Sequence, residues 1–407
     1  MKKIVIIGIG SRGLGYAEEI LVCGQDEIVV GVVDPNKDRI KKVLQLFPNI
    51  EKDMIFKDWK DFIKKKRNVD AVVIATQDNM HTEPAIACAD LGYHILLEKP
   101  MAPTLEECKK IVEAAEKNNV MLTVCHVLRY TKFFKKLHEL IHEKKIIGDL
   151  IHIQHFENVG YWHMAHSYVR GNWNNTNKTS SMLLAKSCHD IDILRFLVGK
   201  KCKKVHSFGS LLHFHRERKP KKAGEAKRCI NCAHEPKCVY SALKIYMRDH
   251  FDRGWRRWPL TILTNDINED NLIKAIETGP YGRCVYECDN NVVDHQVVNL
   301  EYEGGVTAGF TMSGFNIGGR EIIIQGSEMV LRGNMNTNEI ILTDFLGEEV
   351  FRININPDGS DFHGGGDKAL VQEWLEALQT GDQSKITTGP RESWKAIRRF
   401  LWRKNQG

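Results

Sequence analysis

The sequence has no long apolar run, and none approaches the roughly 18 residues that a helix needs to cross a bilayer. Its first residues, MKKIVIIGIG, place two lysines before an apolar stretch, but Gly8 interrupts that stretch after positions 4–7. No small-residue cleavage site follows, which argues against a secretory signal peptide. We therefore expect no membrane partner and a cytoplasmic location.

The sequence also lacks a marked excess of charge of either sign. It has 58 lysine and arginine residues against 52 aspartate and glutamate residues, which gives a net charge of +6. Surfaces that bind nucleic acid carry a stronger and more clustered basic excess. Nucleic acid is therefore not an expected partner.

A chain of 407 residues is too long for one ordinary domain, and its first third has a pattern of its own. Continuous apolar runs occur at 3–7, 28–33, 71–75, 95–97 and 121–124. Amphipathic stretches lie between or beside them at 14–23, 37–46, 58–66, 82–91 and 104–118. Uninterrupted apolar strands are typical of a parallel sheet buried between helices. Residues 1–128 are thus predicted to form a doubly wound α/β domain that binds a dinucleotide.

The pattern changes in residues 129–407, where we predict an α+β domain for substrate binding and oligomerisation. Helices are expected at 132–144, 181–198, 367–380 and 390–403. Strands with period-two alternation are expected at 292–302, 306–313, 320–325, 329–332, 339–342 and 350–355, and short turns between them indicate an open, mostly antiparallel sheet. An exposed apolar sheet face would favour a homo-oligomer.

The loop GIGSRG fits a dinucleotide site because it follows one predicted strand and opens a helix. Its residues are Gly8, Ile9, Gly10, Ser11, Arg12 and Gly13. Asp34 ends the second strand, where an acid can bind ribose hydroxyls and repel a 2′-phosphate. Arg12, Lys37 and Arg39 are close enough in sequence to offset that repulsion. NAD is therefore the expected cofactor, with NADP less favoured.

The stretch HILLEKP at 94–100 places Lys99 directly after a buried strand. Ligands of open α/β sheets bind outside the carboxyl ends of the strands. There, a lysine can accept the proton of a substrate hydroxyl while hydride leaves the carbon. The alternative is an exposed lysine that pairs with Glu98.

Together these motifs resemble the Gfo/Idh/MocA oxidoreductase family over nearly the whole chain. The resemblance rests on the glycine loop, on A-T-x4-H (Ala75, Thr76 and His81), on E-K-P at 98–100, on R-Y at 129–130 and on a later helix with His189. It implies an N-terminal Rossmann domain joined to a C-terminal domain with a largely antiparallel sheet. It also implies that Lys99 is catalytic and touches the cofactor, together with Ala75, Thr76, His81 and Glu98.

The family usually carries Asp-x-x-x-His on the helix that contributes the second catalytic group. His189 matches the histidine, but Ala185 stands at the aspartate position. Lys186 precedes His189 by three residues and would share its helix face, so we add it to the catalytic candidates. The alternative for His189 is a core-packing role.

The loop GYWHMAHSYVRGNWNN at 160–175 combines aromatic and basic side chains, a mixture that suits the faces and hydroxyls of a sugar. The predicted substrate-binding residues are Tyr161, His163, His166 and Arg170. An ordinary surface loop is the alternative reading. His363, in HGGGD, is a weaker candidate for the same site.

The eleven cysteines are odd in number and scattered, which is typical of reduced thiols. Seven of them fall between 188 and 288, within or beside a basic insertion near 202–290 whose segment 213–228 is expected to be a mobile surface loop. Cys229, Cys232 and Cys238 are predicted ligands of a structural zinc ion, against the alternative of unligated thiols. Candidates for a fourth ligand are Cys202, His234, Cys284 and Cys288.

The sequence therefore predicts an oxidoreductase that moves hydride between NAD and a secondary carbinol of a sugar, sugar derivative or polyol. A first alternative is an NAD-dependent glycosidase, which oxidises its substrate transiently and restores the cofactor within the cycle. A second alternative is an NAD(P)-binding regulator without catalysis, although the presence of Lys99 argues against it.

Overall fold

The fold is described from a computed structural model that covers residues 2–25, 28–356 and 363–395. The N-terminal sheet has six parallel strands in the order β3-β2-β1-β4-β5-β6. These are β1 Ile4–Ile7, β2 Val29–Val33, β3 Ile55–Phe56, β4 Ala71–Ile74, β5 His94–Leu97 and β6 Leu122–Val124. This is the strand order of the doubly wound dinucleotide fold, so the predicted class is confirmed. Only β3 was missed, because two residues show no periodicity.

Five helices cover the two faces of this sheet. They are α1 Ser11–Val22, α2 Lys37–Leu46, α3 Trp59–Ile63, α4 Thr82–Asp90 and α5 Leu105–Lys117. The side chains of Asn36, Asp58 and Thr104 accept hydrogen bonds from backbone N–H groups in the first turns of α2, α3 and α5. These N-caps explain why the helices begin where the sequence predicts.

The C-terminal sheet has eight strands in the order β14-β13-β12-β11-β7-β10-β9-β8. They are β7 Leu150–Gly160, β8 Cys202–Ser210, β9 His295–Tyr302, β10 Thr307–Asn316, β11 Gly319–Gly326, β12 Val330–Asn334, β13 Glu339–Thr343 and β14 Glu349–Asn354. Only β7 and β10 pair in parallel, and every other pair in this sheet is antiparallel. The prediction of a mostly antiparallel sheet is confirmed.

Strands β7 and β8 were not predicted from the sequence. The buried face of β7 alternates apolar and ionisable residues, including His155 and Glu157, and this hides the usual apolar signal. Strand β8 is exposed along most of its length and so lacks an apolar face to recognise. The pairing of β7 at the centre of the sheet nevertheless places its two ionisable side chains in the interior.

The C-terminal domain contains several α-helices, some of them a single turn. They include α6 Lys132–His138, α7 Tyr161–His163, α8 Met182–Ala185, α9 Cys188–Val198, α10 Leu260–Leu263, α11 Glu269–Thr278 and α12 Gly366–Thr380. Leu370 and Trp374 of α12 are buried against the N-terminal sheet side, so α12 returns to the first domain. Of the helix predicted at 390–403, residues 390–395 are described and are helical, and the rest of the prediction lies outside the described residues.

The basic segment 213–228 is a packed insertion rather than the free surface loop that we expected. Phe214 and Ala223 are buried, and the Lys219 ammonium lies 2.8 Å from the Glu287 carboxylate. The segment is rich in basic residues, so the sequence did not indicate that Phe214 and Ala223 would be buried. Among the described residues, we find no helix both long and apolar enough to span a membrane.

Candidate active site

The glycine loop between β1 and α1 is shaped by two steric requirements. Gly8 has φ of +90°, and a Cβ there would lie 2.7 Å from the Ala75 carbonyl oxygen. A Cβ at Gly13 would overlap the Gly8 carbonyl, whereas one at Gly10 would meet no protein atom within 4 Å. Gly8 and Gly13 thus close the turn, and the space beside Gly10 stays open. The cradle at the N-terminus of α1 fits a dinucleotide pyrophosphate.

Asp34 stands at the end of β2 with its carboxylate fixed by the backbone. It accepts hydrogen bonds from the N–H of Ile9 at 2.7 Å and from that of Asn36 at 2.8 Å. The Arg39 guanidinium approaches the carboxylate to 3.8 Å from an exposed position. The acid is therefore positioned beside the glycine loop, where a ribose would bind.

Arg12 does not approach Asp34, contrary to the role considered from the sequence. Its guanidinium pairs with Glu98 and with Asp367, each at 2.5 Å, and donates to the Tyr16 hydroxyl at 2.5 Å. Arg12 thus ties the glycine loop to the end of β5 and to the first turn of α12. Of the cations considered, Arg39 is the one that could offset repulsion of a 2′-phosphate.

Glu98 is held by three donors, which are Arg12, the Tyr16 hydroxyl at 2.7 Å and the Lys99 backbone N–H at 2.7 Å. Burial opposes its ionisation, but Arg12 and Lys99 outweigh this and lower the pKa of Glu98. The Glu98 carboxylate is thus held in place, and because it accepts from the Lys99 backbone N–H, it orients the turn that carries the lysine. The Lys99–Pro100 peptide bond in this turn is cis.

The motif A-T-x4-H supports the same turn from the neighbouring strand. The buried His81 ring lies 3.0 Å from the Pro100 carbonyl oxygen and 3.2 Å from that of Thr76. Ala75 touches the glycine loop through the close approach at Gly8. Both ring nitrogens of His81 thus face backbone carbonyl oxygens of the protein. The backbone at Ala75 and Thr76, in contrast, borders the cofactor cradle.

Lys99 reaches across from β5 to the second domain. Its ammonium donates to the Ala185 carbonyl oxygen at 2.9 Å. The predicted helix 181–198 is in fact interrupted after α8 ends at Ala185, and Ser187 occupies the N-cap of α9. The interruption leaves the Ala185 carbonyl available to the lysine. A backbone oxygen therefore receives Lys99 at position 185, where the resemblance described above leads us to expect an aspartate side chain.

His189, in the first turn of α9, is buried with a 3% exposed fraction, and neither ring nitrogen has a hydrogen-bond partner in the described residues. Its ring centre lies 6.1 Å from that of His126 and 5.7 Å from that of His363. Burial lowers the pKa of His189 well below its usual range, and the Lys99 charge lowers it further. A buried, neutral imidazole without a partner costs free energy that a bound hydroxyl would recover.

Lys186 lies in a buried ion network rather than in solvent. Its ammonium is 3.2 Å from the Glu157 carboxylate of β7, which also pairs with Arg320. Arg320 contacts Asp190 at 2.8 Å, and His155 donates to the same carboxylate at 2.9 Å. Burial lowers the pKa of Lys186, and Glu157 only partly offsets this. Lys186 is therefore a cation whose proton is less tightly held than usual.

Of the four predicted substrate residues, the structure brings His163 toward the catalytic candidates. The charges of Lys186 and Lys99 both act on His163, whose pKa is lowered well below its usual range, chiefly by burial. Its ring lies 5.6 Å from that of Tyr168 and 5.0 Å from that of Trp258. This aromatic group could pack against the face of a sugar ring.

The other three predicted substrate residues have protein partners. Tyr161 lies 3.3 Å from the Lys244 ammonium, and His166 lies 2.9 Å from the buried Tyr246 hydroxyl. Arg170 donates to the carbonyls of Arg283 and Tyr240, both at 2.7 Å. His166 and Arg170 are therefore buried residues with protein partners, on the helical segment Met164–Arg170 that follows α7. Their predicted contact with substrate stays a prediction.

The structure adds candidate site residues that sequence reasoning missed, namely Tyr16, Glu157, Arg320 and Asp367. Asp367 falls in the HGGGD motif, where the sequence drew attention only to His363, and the two side chains are 2.7 Å apart. Glu157 and Arg320 lie on separate strands that become neighbours only in the folded sheet. Their positions in the sequence therefore gave no indication that the two side chains would meet.

The buried, neutral His189 predicts a loss of stability in mild acid. Its folded-state pKa is well below the ordinary value of about 6.5. Below that pH the unfolded chain binds a proton at this residue that the folded chain does not, so the free energy of unfolding falls by up to about 1.4 kcal/mol per pH unit. Urea denaturation at pH 7.5 and 5.5 should show this loss, and His189→Phe should reduce it. Equal stability at both pH values would contradict the buried neutral assignment.

Two family profiles match the chain. One, described as oxidoreductase family, NAD-binding Rossmann fold, covers residues 2–126. The other, described as oxidoreductase family, C-terminal alpha/beta domain, covers residues 138–398. Together they span both domains of the structure.

Individual oxidoreductases and dehydrogenases are also similar to this chain, at low sequence identity. The Bacillus subtilis protein YteT is 22% identical over 92% of this chain and 88% of its own length. A myo-inositol 2-dehydrogenase from Thermotoga maritima is 29% identical over 52% of this chain and 59% of its own length. A solved structure of levoglucosan dehydrogenase with NADH and levoglucosan superposes with a TM-score of 0.68 at 16% identity, covering 98% of this chain and 95% of that one.

Proposed function

The chain belongs to the Gfo/Idh/MocA family of oxidoreductases, and from this premise we propose that it is an NAD-dependent dehydrogenase of a sugar, sugar derivative or polyol. The observation that carries the proposal is that Lys99, which donates to the Ala185 carbonyl, lies near a buried His189 whose ring nitrogens lack partners in the described residues and whose pKa the lysine charge lowers. Both groups stand where the cofactor cradle meets the second domain. The similarity of the chain to a myo-inositol dehydrogenase and a levoglucosan dehydrogenase supports a substrate with several hydroxyl groups.

The residues of the first domain fit NAD. The open space beside Gly10 and the first turn of α1 would hold the pyrophosphate, and Asp34 would bind the ribose hydroxyls. When bound, the nicotinamide supplies the acceptor for a hydride. The protein must then place a substrate carbinol near the carboxyl end of β5 and manage its hydroxyl proton.

Lys99 is the group proposed to accept that proton at its nitrogen, which it would do as the neutral amine after its ammonium form has released a proton to solvent. The Ala185 carbonyl fixes the direction of this nitrogen and leaves its other positions for substrate. His189, held neutral by burial, would bind the same or the neighbouring hydroxyl through a ring nitrogen. The ion pair of Lys186 with Glu157 would stabilise the part of the site that the second domain contributes.

A second candidate function is the NAD-dependent glycosidase reaction, and Ala185 is the observation that favours it. Its methyl group occupies less space than the usual aspartate and removes a negative charge beside Lys99. The space could admit a glycoside, with Lys186 as an additional base. The two candidates share the cofactor and Lys99 and differ in whether reduced cofactor is released.

The pure protein should be incubated with a panel of polyols, free sugars and aryl glycosides, with and without added NAD. A dehydrogenase should reduce added NAD in proportion to substrate consumed. A glycosidase should release the aryl group without net NAD reduction. Binding of NAD with neither reaction across the panel would contradict both proposals and favour a regulator.

We further expect NAD to bind more tightly than NADP by at least about tenfold, because Asp34 repels a 2′-phosphate. Asp34→Asn should reduce this preference, since it removes the charge and keeps one oxygen acceptor for the Ile9 N–H. Arg39→Met is the matched control and should weaken NADP binding further. Calorimetric titrations of both nucleotides would measure these effects. Preference of the wild type for NADP would show that Arg39 outweighs the carboxylate.

A further inference from the structure

We propose that Cys229, Cys232, Cys238 and Cys284 bind one structural zinc ion, with Arg170 as its buried counter-charge. The four cysteines line a single cavity of about 20 Å³, which has room for one water-sized particle. A closed site of four thiolates is the common arrangement for structural zinc. The site's existence is independent of the reaction at Lys99.

The fold brings the fourth cysteine to the other three. Arg228 and Arg283 form an isolated antiparallel bridge, and the Cys284 N–H donates to the Lys227 carbonyl at 2.8 Å. Cys229 and Cys284 are thereby placed side by side although 55 positions separate them in the chain. Spacing alone could not choose Cys284 from Cys202, His234 and Cys288.

A charged N–H donor is aimed at one of the sulfur atoms. The Arg170 guanidinium lies 3.4 Å from the Cys229 sulfur. A neutral thiol is a weak acceptor, whereas a metal-bound thiolate needs such donors.

Arg170 is the observation that points most directly to an anionic centre. Its side chain is 2% exposed, its Nη1 atom has no hydrogen-bond partner, and no carboxylate of the described residues pairs with it. A buried guanidinium without an anion is costly. Zinc with four thiolates carries a net charge of −2, because the four thiols release their protons to solvent and the four thiolates bind an ion of charge +2. That anion would compensate Arg170.

The stretch 211–241 of the insertion needs such a link because it has little regular structure. It forms the bridge at Arg228 and four short 3₁₀ turns, at Arg216–Arg218, Lys221–Ala223, Cys229–Asn231 and Glu235–Lys237. Segments without a substantial core are commonly held by metal ions or disulfides. As placed in the described part of the chain, no three His, Cys, Asp or Glu side chains form a group that could hold a metal ion, so the proposed site would require the thiols to turn into the cavity that they line.

Elemental analysis of the full-length protein, prepared without added chelator and dialysed against metal-free buffer, tests the proposal. We expect about one zinc per chain, with four sulfur neighbours at about 2.3 Å by X-ray absorption. Cys284→Ser should lose at least half of the zinc. The matched control Cys288→Ser, outside the cavity lining, should retain it.

The wild-type absorption measurement does not depend on how well a variant folds. Absence of zinc after exposure to Zn²⁺ would overturn the proposal, as would a coordination shell without four sulfurs. Iron with inorganic sulfide in place of zinc would also overturn it. Retention of zinc by Cys284→Ser and its loss from Cys288→Ser would show that the fourth ligand is wrong.

Discussion

Replacing Lys99 by methionine should lower kcat by about 10²–10⁴-fold while the dissociation constant of NAD changes by less than about threefold. Methionine keeps much of the packing of the lysine stem but cannot exchange a proton or donate to the Ala185 carbonyl. The glycine loop and Asp34 supply the cofactor contacts and are untouched by this change. Steady-state kinetics with the best substrate of the panel, together with nucleotide titration, would separate the two effects.

Lys99→Arg is the informative control for this prediction. Arginine preserves a positive charge near the same carbonyl, but its guanidinium does not release a proton at ordinary pH. If Lys99 acts as a proton acceptor, the arginine variant should be as slow as the methionine variant. Recovery of activity by arginine would show that charge alone matters. Full activity in Lys99→Met would exclude the lysine and direct the search to His163 and His189.

The second large effect that we expect is on NAD binding, from alanine substitutions in and beside the glycine loop. Gly10, Gly13 and Gly15 should respond differently. Gly13→Ala should abolish NAD binding and destabilise the N-terminal domain, because the new Cβ would overlap the Gly8 carbonyl. Gly10→Ala meets no protein atom within 4 Å, so the folded protein should persist while NAD affinity falls at least about tenfold. The methyl group would stand where the pyrophosphate approaches.

Gly15→Ala is the matched control within the same helix. Leaving aside the adjacent residues and the backbone of α1, its Cβ also meets no atom of the described chain within 4 Å, and the position lies in α1, two residues beyond the loop. Alanine there should stabilise the helix by about 0.5–1 kcal/mol and leave NAD affinity unchanged. Thermal unfolding and nucleotide titration of all three variants would test the set. Normal NAD binding by Gly10→Ala would contradict the proposed position of the pyrophosphate.

The N-terminal domain was predictable because several of its strands are buried on both faces. Ile4–Ile7 and Ala71–Ile74 are continuous apolar runs, and the glycine spacing follows directly from the steric demands at Gly8 and Gly13. The central strand of the second sheet was not predictable by the same rule. Its inward residues include His155 and Glu157, whose burial is stabilised by Arg320, Asp190 and Lys186 from other elements.

The candidate site was only partly predictable for a related reason. Lys99 and His189 could be named from local motifs, but the contact of Lys99 with the Ala185 carbonyl depends on a helix break that periodicity did not reveal. Arg12 and Asp367 are 355 positions apart and meet only because α12 returns to the first domain. Contacts of this kind require the three-dimensional arrangement of both domains.

The central claim is that this chain transfers hydride between NAD and a polyhydroxylated substrate with the help of Lys99. The most direct measurement is the number of NADH equivalents formed per active site when excess NAD and each substrate of the panel are mixed with the enzyme. The account predicts many equivalents with at least one polyol or sugar, and at least about 100-fold slower formation in Lys99→Met. No reduced cofactor from any substrate, despite tight NAD binding, would contradict it.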